Sequence, residues 1–456
     1  MLQRCKKSNV IFENALFDKR QLILLIYPLI IEQILAITVG MVDTMMISYA
    51  GEAAMSGVSL VDMINLLLIS IFAAVATGGA VVVSQYLGHK DRDRACHAAS
   101  ELITVSTLIS VLFSVASIVW CEPILKLLFG QVEADVMEAA IIYFLISAFS
   151  FPFLAIFNAS AAIYRSMGNS KISMQISAGM NIFNAIGNAI LIFGFEMGAA
   201  GAALSTLAAR MLAAMVMFVL LLNKNNEVFI TPKRMLRLNR EMVGRILYIA
   251  VPNGIENGLF HLGRVLVVSI ISLFGTAQIA ANAVANNLDS MGCIAGQAMN
   301  LAMITVVGRC MGAGEKEQAV YYTKKLWKWT YVMMFVTNFV LLVALPWILN
   351  WYTLSEEAYR YAFILVWIHN CFAIFMWPTS FTMSNALRAA GDVKYTMVVA
   401  IFSMCAFRLL FSVILGIYYD MGAIGVWIAM ILDWIFRVIM YVWRFRSGKW
   451  LTFKVI

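Results

Sequence analysis

The chain has 456 residues, of which 62% are hydrophobic and only 13% charged, more apolar surface than one soluble core can hide. Its formal charge of +8 rests on 33 Lys and Arg against 25 Asp and Glu, but the basic residues alternate along the chain and form no patch. A soluble domain and a nucleic-acid partner are both excluded, and the expected surrounding is a lipid bilayer.

Twelve apolar stretches of roughly 20 residues or more are each long enough to cross a hydrocarbon core of ~30 Å. They fall at about 21–42, 57–80, 98–120, 138–162, 172–194, 200–222, 244–270, 279–305, 327–349, 359–385, 396–418 and 423–443. The first is too long for a signal-peptide core and reads as a retained helix. It carries Pro28, Glu32 and Gln33, with Asp43 at its far end. Pro28 breaks the local hydrogen-bond ladder and is a candidate hinge. Glu32 lies about eleven residues in, near the expected midplane, where a charge costs at least ~2.5 to 3.5 kcal/mol. Eleven residues are close to whole turns, so Glu32 and Asp43 share one face, ~16 Å apart.

On the fifth stretch Asn181, Asn184 and Asn188 form a polar stripe that lipid would not tolerate. The seventh repeats the first: Pro252 is a second candidate hinge, followed by Glu256, Asn257, His261 and Arg264. Asn253, Asn257, His261 and Arg264 make a second stripe, and Asn282, Asn286 and Asp289 a third, on the eighth. Two readings of the acids stand side by side. Glu32 and Glu256 either bind a proton, a sodium ion or a cationic substrate in alternation, or are hydrogen-bonded groups that position the kinked helices. Arg264 is a candidate neutraliser of Glu256 or Asp289. His261 and His369 read as titratable groups or as structural hydrogen-bonders. The 29 Met and 29 Phe suit a pocket for apolar cations, though most must face lipid or core.

Basic residues set the orientation. Arg4, Lys6, Lys7, Lys19 and Arg20 precede the first stretch, Lys90, Arg92 and Arg94 follow the second, and Lys233, Arg234, Arg237 and Arg240 lie between the halves. The opposite connections carry only Lys126 and Arg360, so both termini are expected in the cytoplasm, in a cell (inner) membrane. The seven cysteines show no C-x-x-C and no Cys/His spacing, so no fixed metal site is expected. No phosphate-binding G-x-x-x-x-G-K-[ST], H-E-x-x-H or G-x-S-x-G occurs. Neither ATP, another cofactor nor enzyme chemistry is expected, and energy should come from an ion gradient.

The chain also says the same thing twice. P-L-I-I-E-Q at Pro28 returns as P-N-G-I-E-N at Pro252, and Gly88 before H-K-D-R-D-R-A as Gly312 before A-G-E-K-E-Q-A. R-S-M-G-N-S-K at Arg165 returns as R-A-A-G-D-V-K at Arg388, and M-G-A-A-G at Met197 as M-G-A-I-G at Met421. In residue numbers the four offsets are 224, 224, 223 and 224. Six stretches lie on each side of the polar linker 223–240, so the halves enter from one side as parallel repeats. The expected fold class is all-α integral membrane, twelve transmembrane helices as two six-helix lobes, 1–222 and 241–456, around a central cleft. The short motifs at Gly88, Arg165 and their partners read as tight turns with Gly at positive φ, or as gating elements.

V-D-T at Val42 to Thr44, G-H-K-D-R-D-R-A, R-S-M-G-N-S-K and G-F-E-M-G-A-A-G-A-A-L-S-T, in this order over essentially the whole chain, resemble the multidrug and toxic compound extrusion (MATE) family. The resemblance implies two six-helix lobes in a V shape, alternating access, and export of organic cations and other xenobiotics in exchange for H⁺ or Na⁺. It also implies an N-terminal cation site at Asp43, Asn184, Asn188 and Thr206, where Na⁺ would bind transiently. Asn188 replaces the family's Asp, which leaves one carboxylate there and weakens both a sodium cage and a proton relay. Glu256 is similar in kind to acids of the C-terminal lobe in other members. In this reading Glu256 and Asp43, with Glu32 in support, bind ion and substrate competitively in a monomer. The alternative cargo is a lipid-linked oligosaccharide or other anionic precursor. The intramembrane cations, Arg210, Arg264, Arg408 and Arg437, number about four against several acids, which favours cations.

Overall fold

The computed structural model describes residues 15–456 apart from 131, 236, 237 and 353. Arg4, Cys5, Lys6, Lys7 and Arg237 of the sequence reading lie outside the described residues. Among the described residues twelve helices are long and apolar enough to cross a membrane. They are α1 Lys19–Ser48, α2 Glu52–Gly88, α3 Arg92–Val119, α4 Ala134–Ser166, α5 Ser170–Gly194, α6 Gly198–Leu221, α7 Arg240–Phe274, α8 ending in Ile294–Gly312, α9 Lys316–Leu349, α10 Glu356–Ala389, α11 Val393–Tyr418 and α12 Gly422–Ser447. The first part of α8 is a helix of its own, Thr276–Gly292, joined at Cys293. Several helices outrun the apolar stretches. At 37 residues α2 is about 55 Å long, because Q-Y-L-G continues it past the lipid-soluble run.

The duplication extends to backbone conformation. Positive φ occurs in pairs at Gly51 and Gly275, Lys90 and Gly314, Gly168 and Gly391, Glu196 and Asp420, and Gly198 and Gly422. The left-handed residue after α2 is thus Lys90, not the expected Gly88, which is still helical. In the second half the same place is filled by Gly314, where no Cβ penalty applies. The change from 223 to 224 spacing falls between Arg165 and Met197. There α5 holds one π segment, Ala189–Gly194, and α11 holds two, Met404–Leu409 and Ile414–Tyr418. An i→i+5 turn takes one residue more than an α turn, so the second π segment absorbs the extra residue.

By compactness the chain forms two units, one of Tyr27–Gly254 and one of the residues up to Ile26 and from Ile255 onward. Their limits fall inside α1 and α7, beside Pro28 and Pro252, rather than in the linker. The linker explains why. Arg92 donates to the carbonyls of Lys224, Asn226 and Glu227, Arg234 meets Asp93 at 2.6 Å, and the Asn239 N–H donates to buried Glu101 at 2.7 Å. Val228 and Ile230 are fully buried, so the linker is strapped onto α3 and carries the start of α7 with it. Glycine then lets α7 approach α2: a Cβ on Gly78 would stand 2.7 Å from the Ile246 carbonyl. The first unit is filled by Phe72, Phe144, Phe151 and Leu125, the second by Leu345, Leu365, Trp427 and Trp434.

Candidate substrate and ion site

Within the first unit α1 and α5 run in the same direction, joined by two polar rungs. Glu32 and Asp43 are eleven residues apart on α1, and the residues they meet, Ser173 and Asn184, are eleven apart on α5. At the first rung Ser173 donates to Glu32 at 2.9 Å and Arg165 stands 3.6 Å from its other oxygen. Arg165 ends α4 and Ser173 lies in the first turn of α5. Glu32 is therefore level with a connection between helices, not at the midplane expected. The cause is register: Glu32 lies well inside the long α1, whereas the Ser173 it meets is in the first turn of α5.

At the second rung the Asn184 amide donates to both Asp43 oxygens, at 3.2 and 3.0 Å, and the Asn188 amide to one, at 2.8 Å. Asn184 is itself oriented by Ser205, which donates to its backbone and side-chain oxygens at 2.8 and 3.0 Å, and by Thr206 at 3.3 Å. Asp43, Asn184, Asn188 and Thr206 thus come together, with Thr206 acting through Asn184. Sequence reasoning passed over Ser205, which adjoins Thr206 in the motif it used. It also passed over Asp62, which accepts from Asn65 at 3.4 Å and Tyr143 at 3.3 Å. Arg210 donates to Ser150 at 2.6 Å.

In the second unit Glu256 meets Arg388 at 2.5 Å, and Arg388 also donates to Asn385 at 3.0 Å. The repeat thus conserves a pair, Glu32 with Arg165 and Glu256 with Arg388. All four residues stood in the repeated motifs; only their partnership was missed, since no spacing along one helix reveals a contact with a distant one. Among the described residues Arg264 makes no ion pair with Glu256 or Asp289. It reaches Asn286 at 3.4 Å, because His369 and Arg388 already hold those acids. His261 stands edge-on to its neighbour Phe260, and Gln33 and Asn257 are half-buried beside the paired glutamates.

Both partners of the Glu256 pair are about nine-tenths buried, so removing one strands the other's charge at a cost of about 3–5 kcal/mol. Glu256→Gln and Arg388→Gln should each lower the unfolding temperature of the purified protein, and the double variant should recover much of the loss. Additive losses in the double variant would show that the two side chains are not coupled.

A second acid, Asp289, meets His369 at 2.5 Å and accepts from the Cys293 thiol at 3.4 Å. These three groups lie within 4.8 Å of one another, against the expectation of no Cys/His cluster. Asp289 and Cys293 share a helix face one turn apart, but His369 comes from α10, two membrane crossings later in the chain. At the 224 spacing Asp62 and Asn65 correspond to Asn286 and Asp289, so acid and amide have changed places between the halves. Asp43 corresponds to Val267, and among the described residues the second unit has no copy of the Asp43 rung. It instead buries Asp433 between Arg437, at 2.9 Å, and Arg408, at 3.3 Å.

A duplicated twelve-helix bundle with acids held inside each half is the architecture of a secondary membrane transporter. The MatE family model matches residues 28–190 and 252–414, and the chain belongs to that family of transporters; it is a multi-pass membrane protein and not an enzyme. It is 28% identical to the uncharacterized transporter YisQ of Bacillus subtilis, over 99% of each chain. It is 25% identical to the probable multidrug resistance protein NorM of Thermotoga maritima, over 95% of this chain and 93% of that one. Among solved structures, a MOP superfamily transporter from Pyrococcus furiosus superposes with a TM-score of 0.87 at 18% identity, covering 96% of this chain and 97% of the other.

Proposed function

We propose that this chain exports organic cations and other xenobiotics by alternating access, as a monomer with both termini cytoplasmic, in exchange for protons. The observation that carries the reading is the contrast among its acids. Glu32, Glu256 and Asp433 each face arginine, whereas Asp43 is held by the neutral amides of Asn184 and Asn188. Amide donors stabilise a carboxylate without neutralising it. The half-buried charge is left for a proton or an organic cation, and loading one expels the other. Membership of the MatE family and likeness to a relative named for multidrug resistance support the same cargo.

The proton is favoured over Na⁺ by the donor set. Both amides turn N–H groups toward Asp43, and the Asn184 oxygen is occupied by Ser205 and Thr206. Asn188 Oδ1 is then the one buried amide oxygen of the pair without a partner, too few for a hard cation that needs an oxygen shell. An anionic cargo finds less support, since Arg165, Arg388, Arg408 and Arg437 are engaged by acids, which leaves Arg210, on Ser150, and Arg264, on Asn286, as the cations in contact with neutral groups. The test is efflux of a fluorescent cationic dye from proteoliposomes under a proton gradient alone, then a sodium gradient alone. Efflux driven by protons is expected; no efflux under either gradient overturns the reading. Asn188→Asp restores a second carboxylate 2.8 Å from Asp43, so it should make efflux respond to sodium, and unchanged ion dependence would place coupling elsewhere.

A further inference from the structure

We propose that Asp289, Cys293 and His369 form a binding site for a soft divalent transition metal, Zn²⁺ foremost. The three side chains offer a carboxylate oxygen, a thiol sulfur and an imidazole nitrogen, all within 4.8 Å of one another. That is the ligand chemistry of a three-residue zinc site, which keeps a fourth position for water or another ligand. A thiolate and an imidazole select against Na⁺, K⁺ and Mg²⁺, so the site is distinct in kind from the oxygen and amide cluster around Asp43.

The local structure builds the site. Asp289 and Cys293, four residues apart, lie on one face of α8. The helix is interrupted at Cys293, although the Cys293 N–H still donates to the Asp289 carbonyl at 3.0 Å. Just before it, Gly292 allows Asn338 and Asn370 to approach: their side-chain oxygens would stand 2.7 and 2.8 Å from a Cβ there. This closeness draws α10 in and delivers His369, whose Nε2 meets Asp289 while Nδ1 lies 3.4 Å from the Asn370 side-chain oxygen. A carbonyl-type oxygen at the far nitrogen is the usual way a metal-bound imidazole is oriented. Trp427 and Trp434 wall the ring edge-on at 5.7 and 5.1 Å.

Tetrahedral bonds of about 2.0–2.3 Å set ligand atoms roughly 3.3–3.7 Å apart. The 3.4 Å between Cys293 and Asp289 already suits this. The 2.5 Å between His369 and Asp289 is the spacing of a hydrogen bond and must open by about an ångström. Asp289 has that freedom, since its side chain is 25% exposed while His369 is 1% exposed. Its exposed edge also leaves room for a fourth ligand. On binding, the thiol and the imidazole–carboxylate pair give up their protons to solvent, and the bonds formed are metal–sulfur, metal–nitrogen and metal–oxygen, with no redox change.

The experiment is Co²⁺ and Zn²⁺ titration of the purified full chain in lipid nanodiscs, which measures binding and so stands apart from any transport result. One Co²⁺ per chain is expected, with a thiolate-to-cobalt charge-transfer band that Zn²⁺ abolishes by displacement. Cys293→Ser should remove the band, and His369→Gln or Asp289→Asn should weaken affinity by at least about tenfold. Cys405→Ser, an exposed cysteine elsewhere, should leave the band unchanged. Absence of stoichiometric binding by the wild-type chain overturns the proposal, as does binding indifferent to Cys293→Ser and His369→Gln alike.

Discussion

Asp43→Asn will reduce dye efflux against a gradient to the leak of empty vesicles while the protein keeps its yield and its unfolding temperature. Both halves of this result follow from one geometry. Asp43 Oδ1 accepts from the Asn188 amide at 2.8 Å and from the Asn184 amide at 3.2 Å, and an asparagine oxygen at that place accepts both; only the 3.0 Å bond at Oδ2 is lost. A neutral side chain also costs less to keep among apolar helices. What disappears is the charge. Losing one partner of a desolvated charge interaction is worth about 2–5 kcal/mol, and at about 1.36 kcal/mol per tenfold the fall is between roughly 30-fold and several thousandfold. Efflux should fail under proton and sodium gradients alike. Wild-type rates in Asp43→Asn would move the coupling group to the second unit, with Asp289 the first to examine.

The architecture was legible because lipid imposes a simple grammar. Long apolar runs, alternating basic connections and motifs that return at one nearly constant offset have few other causes, and each survives substitution of individual residues. Helix ends were less legible, since a helix such as α2 does not stop where lipid does. The rungs between α1 and α5 were half legible. Eleven-residue spacing put Glu32 and Asp43 on one face, and the asparagine stripe offered their partners. The depth of Glu32 was hidden, because it depends on which turn of α5 it meets, a tertiary quantity. Least legible were the pairs across long separations. Arg388 reaches Glu256 from far along the chain, and His369 reaches Asp289 from another helix. Such contacts leave no periodicity; for Glu256 and Arg388 the repeat was the available signal, an acid and an arginine recurring together in both halves, and His369 with Asp289 had none.

The repeat also exposes where the second half departs from the first, and there the largest loss of stability is expected. Asp433 and Arg437 correspond at the 224 spacing to Ala209 and Ala213, which are buried. The second unit thus replaces a plain helix face with a fully buried carboxylate between two guanidinium groups. Arg437 is further held by Ser403 at 2.8 Å, Arg408 lies over the Phe260 ring at 5.3 Å, and Arg437 over Phe381 at 5.6 Å. Asp433→Asn removes the one acid that bonds both. Two stranded cations should cost at least the ~3–5 kcal/mol of a broken buried pair, seen as a large drop in unfolding temperature or loss of the monodisperse species. Replacing the whole set by apolar side chains, Asp433→Leu with Arg408→Met and Arg437→Met, should restore wild-type stability, as buried ionic clusters often yield to hydrophobic ones without loss. An Asp433→Asn protein as heat-resistant as the wild type would mean that the arginines are satisfied by the ring faces and Ser403 alone. The alanines of the first half make the opposite outcome the physical expectation: that face packs well without charge, so its charges in the second half stand only while all three are present.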